Sequence, residues 1–212
     1  VKVCEIFTSI QGESSYAGLP CTFIRITGCN LRCSYCDTQY AYENGREYST
    51  DEIIGKVRMS GINLVEVTGG EPLLHMEVFA LITQLCNEGF TVLIETNGSV
   101  SIRDVDSRAV IILDIKTPGS GMSEKMDFSN LDLIKQSDEV KFVITGRTDY
   151  EWSFDIMKGH GLFKKCGLLV APAYGILHPA QLVKWMIEDR LDARLNLQIH
   201  KYIQGSPDYP IR

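Results

Sequence analysis

Three cysteines fall within eight residues in the run Gly28-Cys29-Asn30-Leu31-Arg32-Cys33-Ser34-Tyr35-Cys36-Asp37, with the spacing C-x3-C-x2-C. A loop this short can wrap three thiolates around one inorganic centre, and soft thiolate donors select zinc or an iron–sulfur cluster. Structural zinc closes its tetrahedron with a fourth Cys or His, usually at short spacing. None lies near in sequence; the nearest histidine, His75, follows Pro72-Leu73-Leu74 far downstream. A four-iron cubane held at three corners keeps one iron open to a ligand, and an open iron implies chemistry. The spacing favours the open cluster, with structural zinc and plain core or redox cysteines as the alternatives.

Other polar groups with chemical potential stand at the ends of apolar runs. Gly69 and Gly70 let backbone approach a ligand closely, and Glu71 can accept from a cationic amine. A plain strand-to-helix turn would use the same glycines. Glu95-Thr96-Asn97-Gly98 can bond hydroxyls or simply end a strand in an Asn-Gly turn. Asp114 and Lys116 flank a further strand end, where a surface ion pair is the ordinary alternative.

The elements that must position these groups alternate. Strands are expected at 3–7, 21–27, 63–68, 91–95, 109–113, 139–144, 168–171 and 195–199, and helices at about 50–59, 76–86, 150–158 and 179–189. Ser49 and Glu52 have capping-box spacing before the first helix, and Gly61 follows its end. Alternating strands and helices imply a parallel sheet, and the connections 98–108 and 117–137 are short for full crossover helices. We therefore expect an α/β fold, a six-strand open barrel with a reduced helix complement, with a flat doubly wound sheet as the alternative. In either, ligands gather at the carboxyl ends of the strands, where Cys29 to Thr38, Thr68 to Glu71, Glu95 to Asn97, Asp114 to Lys116 and His200 would converge.

With 212 residues the chain suits one domain spanning 1–212, and 44% hydrophobic against 23% charged residues is ordinary globular usage. A net charge of −6 argues against a phosphate-tracking nucleic-acid binder and favours a small-molecule ligand. No apolar run approaches a membrane span, and the charged, strand-like start is unlike a signal peptide, so a cytoplasmic protein is expected. The seven cysteines are then not a disulfide framework; Cys4, Cys21, Cys86 and Cys166 read as core or neutral positions.

Cys29-x3-Cys33-x2-Cys36, with Tyr35 before the last cysteine, resembles the radical S-adenosylmethionine signature, and Gly69-Gly70-Glu71-Pro72 resembles the GGEP motif of the same superfamily. The resemblance implies a partial (β/α) barrel with about six parallel core strands. It also implies a [4Fe-4S] cluster on Cys29, Cys33 and Cys36 whose open iron is chelated by the methionyl amine and carboxylate of S-adenosyl-L-methionine. Reductive cleavage of that cofactor gives a radical that abstracts hydrogen from substrate.

Ile10-Gln11-Gly12-Glu13, Gly18, Pro20 and Phe23-Ile24-Arg25, together with the stretches 28–38 and 67–72, resemble the 7-carboxy-7-deazaguanine synthase family. Weaker signals lie at Ala171-Pro172 and Gln198-Ile199-His200-Lys201. The resemblance implies a homodimer and a magnesium-assisted ring contraction of 6-carboxy-5,6,7,8-tetrahydropterin to 7-carboxy-7-deazaguanine. Ammonia is lost, on the route to queuosine and related deazapurines, and an electron donor such as flavodoxin or ferredoxin is needed. It assigns Ile10, Gln11, Gly12, Glu13, Arg25, Thr68 and His200 to substrate, with Arg25 on its carboxylate and backbone contacts from residues 10–12. Tyr35, Cys36, Asp37, Gly69, Gly70, Glu71, Glu95, Asn97, Asp114 and Lys116 fall to the cofactor, and Thr38 to magnesium. A radical activating enzyme acting on a protein partner uses the same cysteine triple and is the alternative. Three features depart from the family pattern: Ser14 stands where glycine is common, Asp114-Ile115-Lys116 replaces a Ser-Pro-Lys-like segment, and Pro210 is followed by two further residues.

Overall fold

Nine strands form one sheet in residues 1–203, the part of the chain that the computed structural model describes. β1 (Lys2–Ile10) pairs antiparallel with β2 (Pro20–Ile26) and, on its other edge, with the two-residue β3 (Arg46–Glu47). From β2 the sheet continues in parallel through β4 (Leu64–Gly69), β5 (Thr91–Thr96), β6 (Val110–Ile115), β7 (Glu139–Ile144) and β8 (Gly167–Pro172) to the short β9 (Arg194–Leu195). The spatial order β3-β1-β2-β4-β5-β6-β7-β8-β9 leaves two edges, so the sheet is not closed. Six full-length parallel strands at its centre match the expected number.

The helices are α1 (Thr50–Ser60), α2 (Met76–Asn87), α3 (Asn130–Leu133), α4 (Arg147–Gly159), α5 (Pro179–Glu188) and α6 (His200–Ile203). The capping box forms as its spacing implies: Ser49 Oγ accepts from Glu52 N, Glu52 Oε2 accepts from Ser49 N, and Gly61 takes the left-handed turn that ends α1. Residues 97–109 carry no helix, and the β6–β7 connection only 3-10 turns at Pro118–Ser120 and Ser123–Lys125 and the single turn of α3. These connections still cover the sheet, through Ile102, Met126, Leu131 and Ile134.

Alternation along the strands divides the sheet into two surfaces. Ile24, Ile26, Val65, Val67, Val92, Ile94, Leu113, Val140, Phe142 and Val170 point to one side, into a single apolar cluster with Ile53 and Val57 of α1, Leu81 and Leu85 of α2, Met157 of α4 and Leu182 of α5. Because all four long helices share that cluster, they lie on one side of the sheet, which excludes the doubly wound alternative. The other side has a smaller apolar base near the strand starts, made by Cys21, Phe23, Leu64, Leu93, Val110, Ile112 and Leu169. Above that base the same alternation delivers Arg25, Glu66, Thr68, Glu95, Asp114 and Lys141.

The expected strand at 195–199 is corrected. Only Arg194 and Leu195 pair, after which Asn196 and Ile199 bond to the loop that follows β1, and His200 opens a helical turn.

Candidate active site

The inner side of the sheet opens into a cavity of about 1050 Å³ at the carboxyl ends of the strands. It is lined from the sheet by Arg25, Glu66, Thr68, Glu95, Asp114 and Lys141, and from the loops by residues 10–13 and 33–38 with Cys29, Gln198, His200 and Lys201. Pockets for single small molecules run from about 300 to 1,000 Å³, so there is room for a cofactor beside a substrate.

The cysteine loop leaves β2 through Gly28, whose φ of +100° suits glycine. It is fastened by Ser34, whose N–H and Oγ donate to the carbonyls of Ser120 and Gly119 at 3.0 and 2.8 Å. Arg32 donates to the Cys29 carbonyl at 2.8 Å and lies over the Tyr42 ring at 4.1 Å. Leu31 N and Asn97 Nδ2 donate to Cys29 Sγ at 3.4 and 3.7 Å. N–H donors aimed at sulfur are what an iron–sulfur thiolate uses to tune its charge. Burial pushes the Cys29 and Cys33 thiols up, so a metal centre would have to supply the charge that makes them thiolates. Among the described residues no three potential ligands are gathered into a ready-made coordination shell. The donor set fits a three-thiolate cluster nevertheless, since all three cysteines line the cavity. Gly70 is packed so that a Cβ would collide with the Gly28 carbonyl and Cys29 Cβ. A fourth zinc ligand is not supplied by His75, whose Nε2 is engaged with the Thr27 carbonyl at 2.8 Å.

Glu71, expected to meet a cationic amine, is put to another use. It is 0% exposed; Oε1 accepts from Leu73 N and Thr96 Oγ1, and Oε2 from Asn97 N at 2.6 Å. It therefore ties the turn after β4 to the end of β5, and burial raises its carboxyl to about 7. Asn97 stays beside the cluster loop, donating to Asn30 Oδ1 at 3.1 Å. Asp114 and Lys116 form an ion pair of 2.8 Å, largely buried and inside the cavity, so the surface alternative does not apply. Burial works against the Asp114 carboxylate, but Lys116 and Lys141 outweigh it and hold it below the usual range. Its Oδ1 is buried and has no hydrogen-bond partner among the described residues, the condition of an acceptor awaiting a donor. Thr38 Oγ1 donates to Asp37 Oδ1 at 3.0 Å, which places two hard oxygens side by side. Burial opposes the Asp37 charge, but Lys201 at 2.7 Å overrides it and brings the carboxyl to about 2.

On the opposite side of the cavity Arg25 Nε donates to Glu5 Oε1 at 2.9 Å, which also accepts from the Tyr40 hydroxyl at 2.9 Å. Glu5 and Arg25 are register partners on β1 and β2. The backbone contacts expected of Gln11 are already in use: its N–H bonds Leu19 O and its carbonyl accepts from Gly18 N, both at 2.8 Å. The Gly12 carbonyl accepts from Ile199 N at 2.9 Å, and a Cβ at Gly12 would run into the His200 imidazole, so glycine is required there. Ser14 adopts the left-handed φ of 66° that a glycine would take, its N–H held by Asn196 Oδ1 at 2.8 Å. Burial lowers the His200 pKa.

Several cavity groups escaped the sequence reading, among them Glu5 and Tyr40 beside Arg25, and two deeper charges, Lys141 and Glu66. Lys141 is 4% exposed and pairs with Glu13 at 2.9 Å, with Asp114 at 3.3 Å and closely with Glu95, which also accepts from Thr68 Oγ1. Glu66, also buried, is bonded by the Gln11 amide. Parity was the available signal: Glu66 stands two residues before Thr68, and Lys141 alternates with Val140 and Phe142. Pro210 and the residues after it lie outside the described residues.

Residues 23–113 match the radical SAM superfamily, and the open parallel sheet with a three-cysteine loop after its first parallel strand is that class of protein. Among solved structures, QueE from Escherichia coli superposes with a TM-score of 0.77 at 22% identity, covering 93% of each chain. Streptococcus suis SuiB bound to S-adenosylmethionine gives a TM-score of 0.55 at 14% identity, over 82% of this chain and 48% of that one. The 7-carboxy-7-deazaguanine synthase of Chlorobaculum tepidum is 44% identical, over 98% of this chain and 96% of the relative, and that of Koribacter versatilis is 41% identical over 96% of each. The chain belongs to the 7-carboxy-7-deazaguanine synthase family.

Proposed function

We propose that the protein converts 6-carboxy-5,6,7,8-tetrahydropterin into 7-carboxy-7-deazaguanine with release of ammonia, as a carbon–nitrogen lyase that uses a [4Fe-4S] cluster, S-adenosyl-L-methionine and Mg²⁺. The observation that carries this reading is a single cavity with the cysteine loop at one rim and a floor of mixed charge, Arg25, Lys141, Glu95 and Asp114, facing it. When bound, the cluster and cofactor supply a carbon radical that removes hydrogen from the pterin.

The chain's own residues bind and orient. Arg25 offers a guanidinium to the substrate carboxylate while Glu5 fixes its Nε edge. Thr68, Glu95 and Glu13 stand as polar groups for the ring, and His200 seats the loop that carries Gly12. Asp114 Oδ1 is the acceptor best placed for a cationic amine of the cofactor, the role the sequence had suggested for Glu71. Gly69, Gly70, Asn97 and Lys116 line that end, Tyr35, Cys36 and Asp37 border the adenosyl group, and Thr38 offers an oxygen to Mg²⁺. We read residues 1–212 as one domain, a reading supported among the described residues by the apolar cluster that runs from Val3 to Leu182. The same family reading carries a homodimer, an electron donor of the flavodoxin or ferredoxin kind and a cytoplasmic setting. Among the described residues no helix is long and apolar enough to cross a membrane.

The test is anaerobic reconstitution with iron and sulfide, then reductant, S-adenosylmethionine, Mg²⁺ and carboxytetrahydropterin, with product read by mass spectrometry. Carboxydeazaguanine and ammonia in equal amounts are expected. Cofactor cleavage without pterin conversion would overturn the reading and turn attention to a protein partner.

A further inference from the structure

Glu66 and Glu139 are buried inner-face carboxyls that no role above employs; Glu139 accepts from Ser15 N at 3.0 Å, and Glu66 stands closer to the cavity. Its register partners are Phe23 on β2 and Leu93 on β5, so it stands in the top layer of the apolar base, directly beneath the cavity. Gln11, itself 3% exposed, donates its side-chain N–H to Glu66 Oε2, and its Oε1 accepts from Glu13 N at 3.1 Å. One buried amide thus joins a rigid central strand to the loop after β1. From Glu13 the chain of contacts continues through its carboxylate to Lys141, to Asn196 at 3.2 Å and to Gln198 at 2.8 Å. Gln11 cannot turn its amide to a ligand without giving up both bonds, and the loop cannot shift without moving Gln11.

We propose that Glu66 is a positioning residue that, through the side-chain amide of Gln11, sets residues 11–15 against the pterin end of the cavity. This deepens the pterin reading and rests on it for the identity of the ligand. The groups facing Glu66 are Glu95 from β5, Glu13 from the loop, Lys141 from β7 and the Cys21 thiol from β2. Burial, and then Glu95, raise its carboxyl to about 8. At neutral pH it is an uncharged anchor. Above pH about 8 it becomes a third negative charge beside Glu13 and Glu95; the Gln11 N–H bond favours that charge, but burial and repulsion from Glu95 and Glu13 outweigh it, so the loop that carries Glu13 should loosen.

Two arms test this on the full-length, reconstituted protein. Hydrogen exchange without pterin reads the loop itself, and steady-state kinetics read it with pterin. Glu66→Leu should lower protection at residues 11–18 at least tenfold at pH 7 and raise KM for carboxytetrahydropterin about tenfold, with kcat within about threefold. Glu66→Gln, which keeps the acceptor and never ionises, should restore both at pH 7. Wild type should lose protection and rise in KM between pH 7.5 and 9, and Glu66→Gln should abolish both changes. Unchanged loop protection in folded Glu66→Leu, or an alkaline loss in Glu66→Gln equal to wild type, would overturn the proposal. Should Glu66→Leu not fold, the wild-type and Glu66→Gln pH series decide alone. A wild type that neither binds nor turns over the pterin sinks the substrate reading, while the exchange arm still decides for Glu66.

Discussion

On β7, Val140, Phe142 and Ile144 point outward, each 0% exposed among aliphatic side chains, whereas Glu139 and Lys141 point inward and Lys141 meets three carboxylates. β2, β4, β5 and β6 repeat that contrast with Arg25, Glu66, Glu95 and Asp114 on the inward side. Outward residues are interchangeable in kind and are held by close packing, so their contribution is additive area removed from water. Inward residues above the apolar base are fixed by specific partners, and Lys141 is stable there only because Glu13, Glu95 and Asp114 surround it. Two surfaces of one sheet therefore separate the work. The outer one decides whether the chain folds, and the inner one decides where charges stand.

The sharpest way to break this division is at the rim. Cys33→Ala should abolish bound iron and product formation, measured by iron assay and mass spectrometry, while shifting the unfolding free energy of the cluster-free protein by no more than about 1 kcal/mol. A variant that keeps its iron and turns over would end the cluster assignment. On the outer surface, Phe142→Ala should cost about 3 to 5 kcal/mol in denaturant unfolding, yet leave KM unchanged in the folded fraction. Lys141→Met should match that cost, about 3 to 5 kcal/mol, for the opposite reason, because Glu13 and Glu95 lose their cationic partner and Asp114 keeps only Lys116. The pH dependence separates the two. Against burial, Lys141 holds Glu13, and after Lys116 helps hold Asp114, below their ordinary values near 4, so its contribution is present above that pH and is lost as pH falls. The Lys141→Met deficit should shrink in acid, and the Phe142→Ala deficit should not.

The same contrast explains what could be read from the chain. Outward residues announce themselves as unbroken apolar runs, and β7 was legible to the residue because Glu139 to Ile144 is bounded by polar neighbours. The cysteine loop was legible because its chemistry is local in sequence. Glu66 and Lys141 were not, since a single charge in an apolar run has meaning only once neighbouring strands supply Gln11 or Glu95. The partners of Glu71 were hidden for a related reason: its motif marks the turn, but only the fold shows its carboxylate facing Leu73, Thr96 and Asn97. Residues 196–199 alternate like a strand, yet Asn196 and Ile199 bond Ser14 and Gly12, contacts that no periodicity encodes.

A buried carboxyl also leaves a thermodynamic trace that sharpens the comparison. With Glu66 raised to about 8 from an ordinary 4.5, the folded protein binds one proton more than the unfolded chain between those values. Its stabilising contribution is complete below pH about 4.5 and is lost as pH rises to about 8, at about 1.4 kcal/mol per pH unit while the difference lasts. Glu66→Gln should lack that slope, so its advantage over wild type should grow from pH 5 to 8 in thermal unfolding and then level off. Curves that stay parallel would show that Glu66 is already ionised in the folded state.

The smallest effect expected is at Ser49, and it is the control for the outer layer. Ser49 Oγ accepts from Glu52 N at 3.2 Å, satisfying one of the orphan N–H groups of α1, whose Ile53, Ile54 and Val57 pack on the outward side of the sheet. Ser49→Ala removes that acceptor and should cost about 1 kcal/mol, read as a lower denaturation midpoint at unchanged slope. The strands would keep their register, because α1 is held chiefly by its apolar face, and the inner groups would keep their partners. KM and the metal content should therefore stay at wild-type values. A change in KM from this distant loss would mean that the helix layer transmits strain through the sheet to the charged cavity, and the two surfaces would then be coupled in function as well as joined in structure.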